Sequence, residues 1–354
     1  MSVHTINLQP IDIRQAGELD YAALNRFDNI MRVERTPEDP AHSLDEDVAG
    51  WQNIPAFVQL CNWVVWSDDS KQIIASGGGG FADLETNRHL MFCNIEVLAE
   101  HRRRGLGRAL LAQVAGAAEE LNRRLLVGES YSTVPAGEAF AERIGAKRAL
   151  EESISQLRVS QLKRELIEQW IAAAQKNSAG DFELGFWLGA YPEEDLNAIC
   201  ELMDVMNTAP RGELDMEDWH LTPERMRENE RAQIARGVER WTAYVRHKPS
   251  GELAGFTSVG WNAHQPQLLE QYGTGVLPKY RNHGLGRWLK AAMLERVLRE
   301  RPQVQQVRTG NAHSNAPMLK INRELGFKHY FTEYDWQVET EAVRAYLDRT
   351  KEIR

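Results

Sequence analysis

Residues 276–287 read Val276-Leu277-Pro278-Lys279-Tyr280-Arg281-Asn282-His283-Gly284-Leu285-Gly286-Arg287, and 179 residues earlier the chain carries the same spacing as Arg102-x-x-Gly105-x-Gly107. Upstream of each loop lies a stretch of strand character, residues 90–97 and 268–276. Downstream, apolar residues recur at helical spacing over residues 107–121 and 286–299. Glycines at such a junction remove Cβ atoms where the backbone turns and a ligand comes close. The free amides and the positive dipole end of the following helix then make a cradle for an anion such as a diphosphate. Arg102, Arg103, Arg104 and Arg108 flank the first loop, Lys279, Arg281 and Arg287 the second, and all favour phosphate. The dinucleotide fingerprint is excluded because Leu110 and Leu289 stand where its third glycine belongs, and the Gly-Lys-Ser/Thr of nucleotide hydrolases is missing. The loop predicts a phosphorylated cofactor.

Other segments repeat at nearly the same offset. Ile74-Ala75-Ser76 answers Leu253-Ala254-Gly255, and Ile144-Gly145-Ala146-Lys147 answers Leu325-Gly326-Phe327-Lys328. Such self-similarity marks two copies of one domain. Each copy runs as a strand, a helical region, a hairpin, the strand that enters the loop, a helix, a short strand, another helix and a last strand. Alternating strands and helices around a mixed sheet give an α/β or α+β fold. Residues 1–160 form the expected first domain, 161–180 a helical linker and 181–354 the second domain. The glycine run at 77–80 reads as a turn or bulge after a hairpin strand, since no helix follows it.

At 354 residues the chain is long enough for two cores, and 51 acidic against 42 basic side chains give a net charge of −9. That balance argues against nucleic acid or an anionic membrane as partner. Cys61, Cys93 and Cys200 are too few and too scattered for a disulfide framework, and no His/Cys cluster suggests a metal. The most apolar stretch, residues 54–66, is too short to span a bilayer. Residues 1–10 lack the pattern of a secretory leader, so the expected compartment is the cytoplasm.

The second copy adds Asn315-Ala316-Pro317-Met318 and Leu325-Gly326-Phe327 to its Val276–Gly286 stretch. Together these resemble the GNAT N-acetyltransferase superfamily, and the tandem arrangement is similar to that of mycothiol synthase-like proteins. The resemblance implies two domains, each a mixed, mostly antiparallel twisted sheet flanked by helices, and acetyl-CoA or another acyl-CoA as donor. It implies cofactor contacts at Val276, Arg281, Asn282, His283, Gly284, Leu285, Gly286, Arg287, Asn315 and Asn322. In the first copy the corresponding contacts are Val97, Arg102, Arg104, Gly105, Gly107 and Arg108. Val134 and Ala146 replace Asn315 and Phe327 there, so the second domain is expected to be catalytic and the first structural or degenerate.

By the same resemblance the pantetheine arm lies along residues 272–276 and an acceptor amine attacks the thioester directly. Glu270 and Tyr272 share one face of that strand. Glu270 is the candidate base, with an ordinary exposed carboxylate as the competing reading. Many relatives carry a tyrosine acid five residues before Phe327, where this chain has Asn322, leaving Tyr272, Tyr330, Tyr334 or solvent to protonate the sulfur. The acidic residues between Asp204 and Trp219 form either an acceptor mouth or a solvated loop. The functions consistent with the sequence are transfer of acetyl to a small-molecule amine, acetylation of a protein or peptide, and acyl-CoA binding without catalysis. No motif sets the acceptor or the oligomeric state.

Overall fold

The computed structural model describes residues 6–349 and contains two compact units. The sequence predicts the first strand over residues 5–12, and Thr5 lies outside the described residues. The first half of the chain runs β1 (Leu8–Ile11), α1 (Glu18–Arg35), α2 (Leu44–Gln52), β2 (Val58–Trp66), β3 (Ile73–Ala82), β4 (Leu90–Val97), α3 (Leu106–Glu120), β5 (Leu125–Tyr131), α4 (Pro135–Arg143) and β6 (Lys147–Arg158). After α5 (Arg164–Asn177) come β7 (Phe182–Leu188), α6 (Leu196–Met203), α7 (Pro223–Ala235), β8 (Val238–His247), β9 (Leu253–Asn262) and β10 (Leu268–Val276). The chain ends with α8 (Leu285–Glu300), β11 (Gln306–Ala312), α9 (Ala316–Leu325), β12 (Lys328–Glu339) and α10 (Thr340–Arg349).

The units do not follow the expected boundaries. Unit one takes residues 6–151, 212–217 and 332–349, and unit two takes 152–211 and 218–331. The sheet of unit one runs β1-β2-β3-β4-β5-β12, that of unit two β6-β11-β10-β9-β8-β7. The strand that closes each sheet is therefore drawn from the other half of the chain. Glu333–Glu339 of β12 pairs antiparallel with β5, and Glu152–Arg158 of β6 with β11. Residues 161–180 are no free linker either: Ile167 and Ala174 of α5 are buried in the core of unit two. Ile167, Trp170, Ile171 and Ala174 recur at helical spacing on this charged helix and supply its packed stripe.

Within each sheet the described pairings are antiparallel except β4 with β5 and β10 with β11. Each of those parallel pairs is joined through a helix, as parallel connections require. On α3, Leu110, Leu111, Val114, Ala115 and Ala118 form one buried face. On α8, Trp288, Leu289, Ala292 and Met293 are buried against unit two's sheet core. The glycine run 77–80 is neither turn nor bulge. It sits in the middle of β3, paired rung by rung with β2 and β4. Among the described residues no helix is long and apolar enough to cross a membrane.

Candidate active site

Both loops adopt the conformation that their glycines permit. Arg103 and Gly105 have φ of +64° and +86°, and Asn282 and Gly284 have +69° and +73°. Two left-handed residues, two positions apart at a helix start, form an amide-lined concavity suited to an anion. The leading arginine is fixed in each case. Arg102 donates from Nε to the Val97 carbonyl at 3.0 Å and from both terminal nitrogens to Glu34. Arg281 donates to the Val276 carbonyl at 3.1 Å and to Thr208 Oγ1 at 2.9 Å.

Each loop follows a fork. The β4–β5 ladder stops at Cys93↔Gly128 although β4 continues to Val97, and the β10–β11 ladder stops at Glu270↔Arg308 although β10 continues to Val276. Backbone groups facing the gap are left to pair with something other than the neighbouring strand. The forks differ in detail. In β10 the register against β9 shifts between Gln271 and Thr274, and buried Gln271 staples this bulge by donating to Thr257, the Ser258 carbonyl and the Tyr272 carbonyl. Pairing of β4 with β3 is continuous.

The cavity also differs from expectation. A cleft of about 1050 Å³ lies in unit one, continuous from the loop at Arg102–Arg108 through the fork to α1 and α2. In unit two, Val205 and Met206 of the short 3-10 turn Asp204–Thr208 lie against the unpaired part of β10. A Cβ on Gly275 would come within 2.3 Å of Val205 Cγ1.

The unit-one cleft gathers ionisable groups that sequence reasoning missed. Asp28 on α1 and Glu96 on β4 both line it. Burial, then the charges of Glu96 and Asp47, push the Asp28 carboxyl up to about 7 against the opposing Arg32 and Arg35. Glu96 is raised chiefly by burial, although Arg35 Nη1 stands 3.4 Å from its Oε1. The Arg35 guanidinium also covers the ring of Tyr131, on the other arm of the fork, at 5.2 Å. Cys93, at the fork, is pushed up to about 12 by burial and by Glu129, so its sulfur is a thiol. The available signal was the charge density of the last turns of α1, Asp28, Arg32, Glu34 and Arg35, on a helix whose other face is apolar.

The sequence-derived candidates fall as follows. Val97, Arg102, Gly105, Gly107 and Arg108 line the unit-one cleft, while Arg104 turns back to donate to the Glu100 carbonyl at 2.9 Å. In unit two, Glu270 occupies the last rung of the fork opposite Arg308. Tyr272 is two residues on, half-exposed, with its ring over Gly260. Tyr330 lies under the Arg308 guanidinium at 5.0 Å. His283 packs on the Phe182 ring at 5.7 Å, and its carbonyl accepts a hydrogen bond from Ser178. Arg287 pairs with Glu324, and Leu285 is buried at the start of α8. Asn315 caps α9, accepting from the Met318 amide.

Asn322 has a task different from the expected cofactor contact. It is 1% exposed, donates to Asn311 Oδ1 at 2.7 Å and accepts from Lys290 Nζ at 2.8 Å. Full burial pushes Lys290 down to about 7 from about 10.5. Between those pH values the unfolded chain binds a proton that the folded unit does not, so stability rises with pH through that window. At about 1.4 kcal/mol per unit the upper bound on the penalty near neutrality is about 5 kcal/mol, and relaxation together with the lost bond to Asn322 offsets part of it. Lys290→Met is expected to stabilise unit two by roughly 2 kcal/mol at pH 7 and to remove this slope, as read by urea unfolding at several pH values.

The acidic segment is engaged rather than open. Asp215 bonds Arg124 at 2.8 Å, and Glu217 accepts from the Asn87 amide within unit one. In unit two, Asp204 meets His220 at 2.9 Å and Asp218 pairs with Arg211.

A family model described as the Acetyltransferase (GNAT) family matches residues 24–146 and again 199–327. The chain belongs to the GNAT acetyltransferase family. The two matches correspond to its two forks and loops. It is 27% identical over 340 residues to a mycothiol acetyltransferase of Acidothermus cellulolyticus, covering 91% of this chain and 93% of that one. In fold it is similar to the tandem GNAT protein from the clavulanic acid biosynthesis pathway, with a TM-score of 0.74, 24% identity and coverage of 95% and 99%. It is also similar to a GCN5-related N-acetyltransferase from Sphaerobacter thermophilus, with a TM-score of 0.63, 13% identity and coverage of 94% and 96%. As a member of this family the protein is an N-acetyltransferase with two GNAT domains.

Proposed function

We propose that this GNAT protein transfers the acetyl group of acetyl-CoA to the primary amine of a small molecule, with both substrates bound together in the cleft of unit one. The observation that carries this reading is the single cleft joining the amide-lined loop to a wall bearing Asp28 and Glu96. The diphosphate takes the loop, and the pantetheine arm takes the unpaired edge of β4 beyond Cys93. The acceptor enters beside α1. Its ammonium gives a proton to a carboxylate, the freed nitrogen bonds the acetyl carbon, the carbon–sulfur bond breaks, and the second proton lost by the nitrogen passes to the departing sulfur to release the thiol of CoA. A protonated Cys93 supports direct attack over an acyl-cysteine intermediate, which would need a thiolate.

Asp28 is the proton acceptor in this reading. Burial first, then Glu96 and Asp47 against Arg32 and Arg35, set its affinity for the proton. Below about pH 7 the carboxyl is protonated and cannot act, so kcat/KM is expected to fall as pH drops through 7. Asp28→Asn should lower kcat at least tenfold and remove that acid limb, with Glu96 limiting the loss. An acid limb unchanged in the variant would reject the assignment.

Release of free thiol from acetyl-CoA over a panel of amines and peptides tests the activity itself. Turnover of peptides alone would replace the small-molecule reading, and uptake of acetyl-CoA without thiol release from any acceptor would favour a binding role. A second reading puts transfer in unit two, favoured by Glu270 at the last rung of its fork and by the bulge in β10.

A further inference from the structure

Asp28 and Arg32 lie one helical turn apart on α1, and both line the unit-one cleft. Side chains so spaced lie one above the other on a single helix face, about 5.4 Å apart along the axis. Opposite charges in that relation commonly close into an ion pair. Here they do not. Half-buried Asp28 takes part in no hydrogen bond or ion pair among the described residues, and the arginines act on it only through space. Arg32 is held at one nitrogen, its Nη2 meeting His42 Nδ1 at 2.9 Å. Its Nε is buried without a partner, and among the described residues no carboxylate oxygen lies within 4.0 Å of the guanidinium.

The charges around this pair are already engaged. Arg35 Nη1 stands 3.4 Å from Glu96 Oε1. Asp47 Oδ1 meets His42 Nδ1 at 2.9 Å, and its Oδ2 accepts from Asn25 at 2.8 Å. What is left to a ligand is one carboxyl and one guanidinium on the same helix face, close but not joined. The strands add Asn62, Ser76 and Asn94 to the cleft, and these offer further hydrogen bonds. A monoamine would answer Asp28 and bring a cation beside Arg32. That contact repels, and it takes a guanidinium further out of water without a counter-charge. A zwitterion answers both groups at once, and the planar guanidinium is the side chain best shaped for a carboxylate.

We infer that the acceptor is an amino acid, its ammonium at Asp28 and its carboxylate at Arg32. The inference rests on the reading that unit one is the transfer site. It adds the acceptor's class to that reading. Asp28 then anchors the ammonium whose proton it takes. Arg32 is a positioning residue, holding the carboxylate so that the neighbouring nitrogen faces the thioester.

Calorimetric titration of the CoA-loaded protein tests this, with a panel of L-amino acids of small, polar, apolar and charged side chain, each paired with its C-terminal amide. The amide keeps the ammonium and the side chain and removes only the anion. At least one amino acid is expected to bind about tenfold or more tightly than its own amide. Arg32→Met is expected to abolish that preference and to leave the affinity for the amide unchanged or higher. Uptake of CoA by the variant reports that the fold is intact. If Arg32→Met loses CoA uptake, Arg32→Lys serves instead and should lower the preference about threefold or more, because an ammonium keeps the charge but not the paired planar donors. No binding by any member of the panel, no amino acid favoured over its amide, or a preference unaltered in variants that still take up CoA would overturn the inference. Thiol release is measured separately. Amino acids bound in preference to their amides without release of thiol from acetyl-CoA would remove the proposed function and leave the clamp standing. Release with amines that lack a carboxylate, and no preference for amino acids, would remove the clamp alone.

Discussion

Titrated with CoA, the wild-type protein is expected to take up two molecules per chain, and Gly105→Val or Gly284→Val one each. The residues have φ of +86° and +73°, where a β-branched side chain clashes with its own backbone. Valine there forces the loop into another conformation, and the amides that open α3 or α8 turn away from the diphosphate. Each hydrogen bond to a charged group contributes about 1.5–3 kcal/mol, so losing two weakens binding by at least a hundredfold. Binding at the altered loop then disappears from a micromolar titration while the other loop still reports a folded chain. Acetyl transfer discriminates between the units. A larger loss with Gly105→Val supports unit one as the site. A larger loss with Gly284→Val transfers the chemistry to Glu270 and its fork. Undiminished uptake in both variants would remove the diphosphate assignment from both loops.

Glu230→Ala is expected to cost unit two about 3–5 kcal/mol, because it breaks a buried ion pair from one side. Glu230 on α7 is 4% exposed. Its Oε1 accepts from the Tyr191 amide at 2.9 Å and from Arg240 Nη2 at 2.6 Å, and its Oε2 accepts from Arg227 at 2.6 Å. Arg240 is itself buried, lies on the Tyr191 ring at 3.8 Å and donates to the Gly189 carbonyl. Alanine leaves a guanidinium without its counter-charge in a dry site and orphans the Tyr191 amide. Burial opposes ionisation of Glu230, but the Tyr191 amide and the two arginines outweigh it and hold the carboxyl below its ordinary value. Its contribution is therefore present above the ordinary carboxylate range and is lost as pH falls through the lowered one. Urea unfolding at pH 7 and pH 4 measures both effects. An unfolding free energy within about 0.5 kcal/mol of wild type at pH 7 would refute the assigned role of this cluster.

The duplication, the two loops and most elements were legible because they depend on local rules. Positive φ requires glycine or a tolerant polar residue, and apolar period separates strand from helix. The strands at Leu90–Val97 and Leu268–Val276 lie at their expected bounds for that reason. The glycine run at 77–80 misled a local reading, because its glycines serve Leu110 and Met91 across the sheet and the cleft above it, not a turn.

Sequence alone determined that the chain is a doubled domain with a glycine-opened loop at a helix start in each copy. Tertiary structure decided which strand closes which sheet, since β6 pairs with β11 and β12 with β5 across sequence separations that no local pattern encodes. It also decided where a cleft remains. Val205 and Met206 cover the unpaired part of β10, whereas a cleft lined by Gly78, Gly80 and the charged end of α1 remains beside β4. The proton affinity of Asp28 belongs to the same class of fact, because burial and the charges of Glu96 and Asp47 exist only once α1, α2 and β4 have come together.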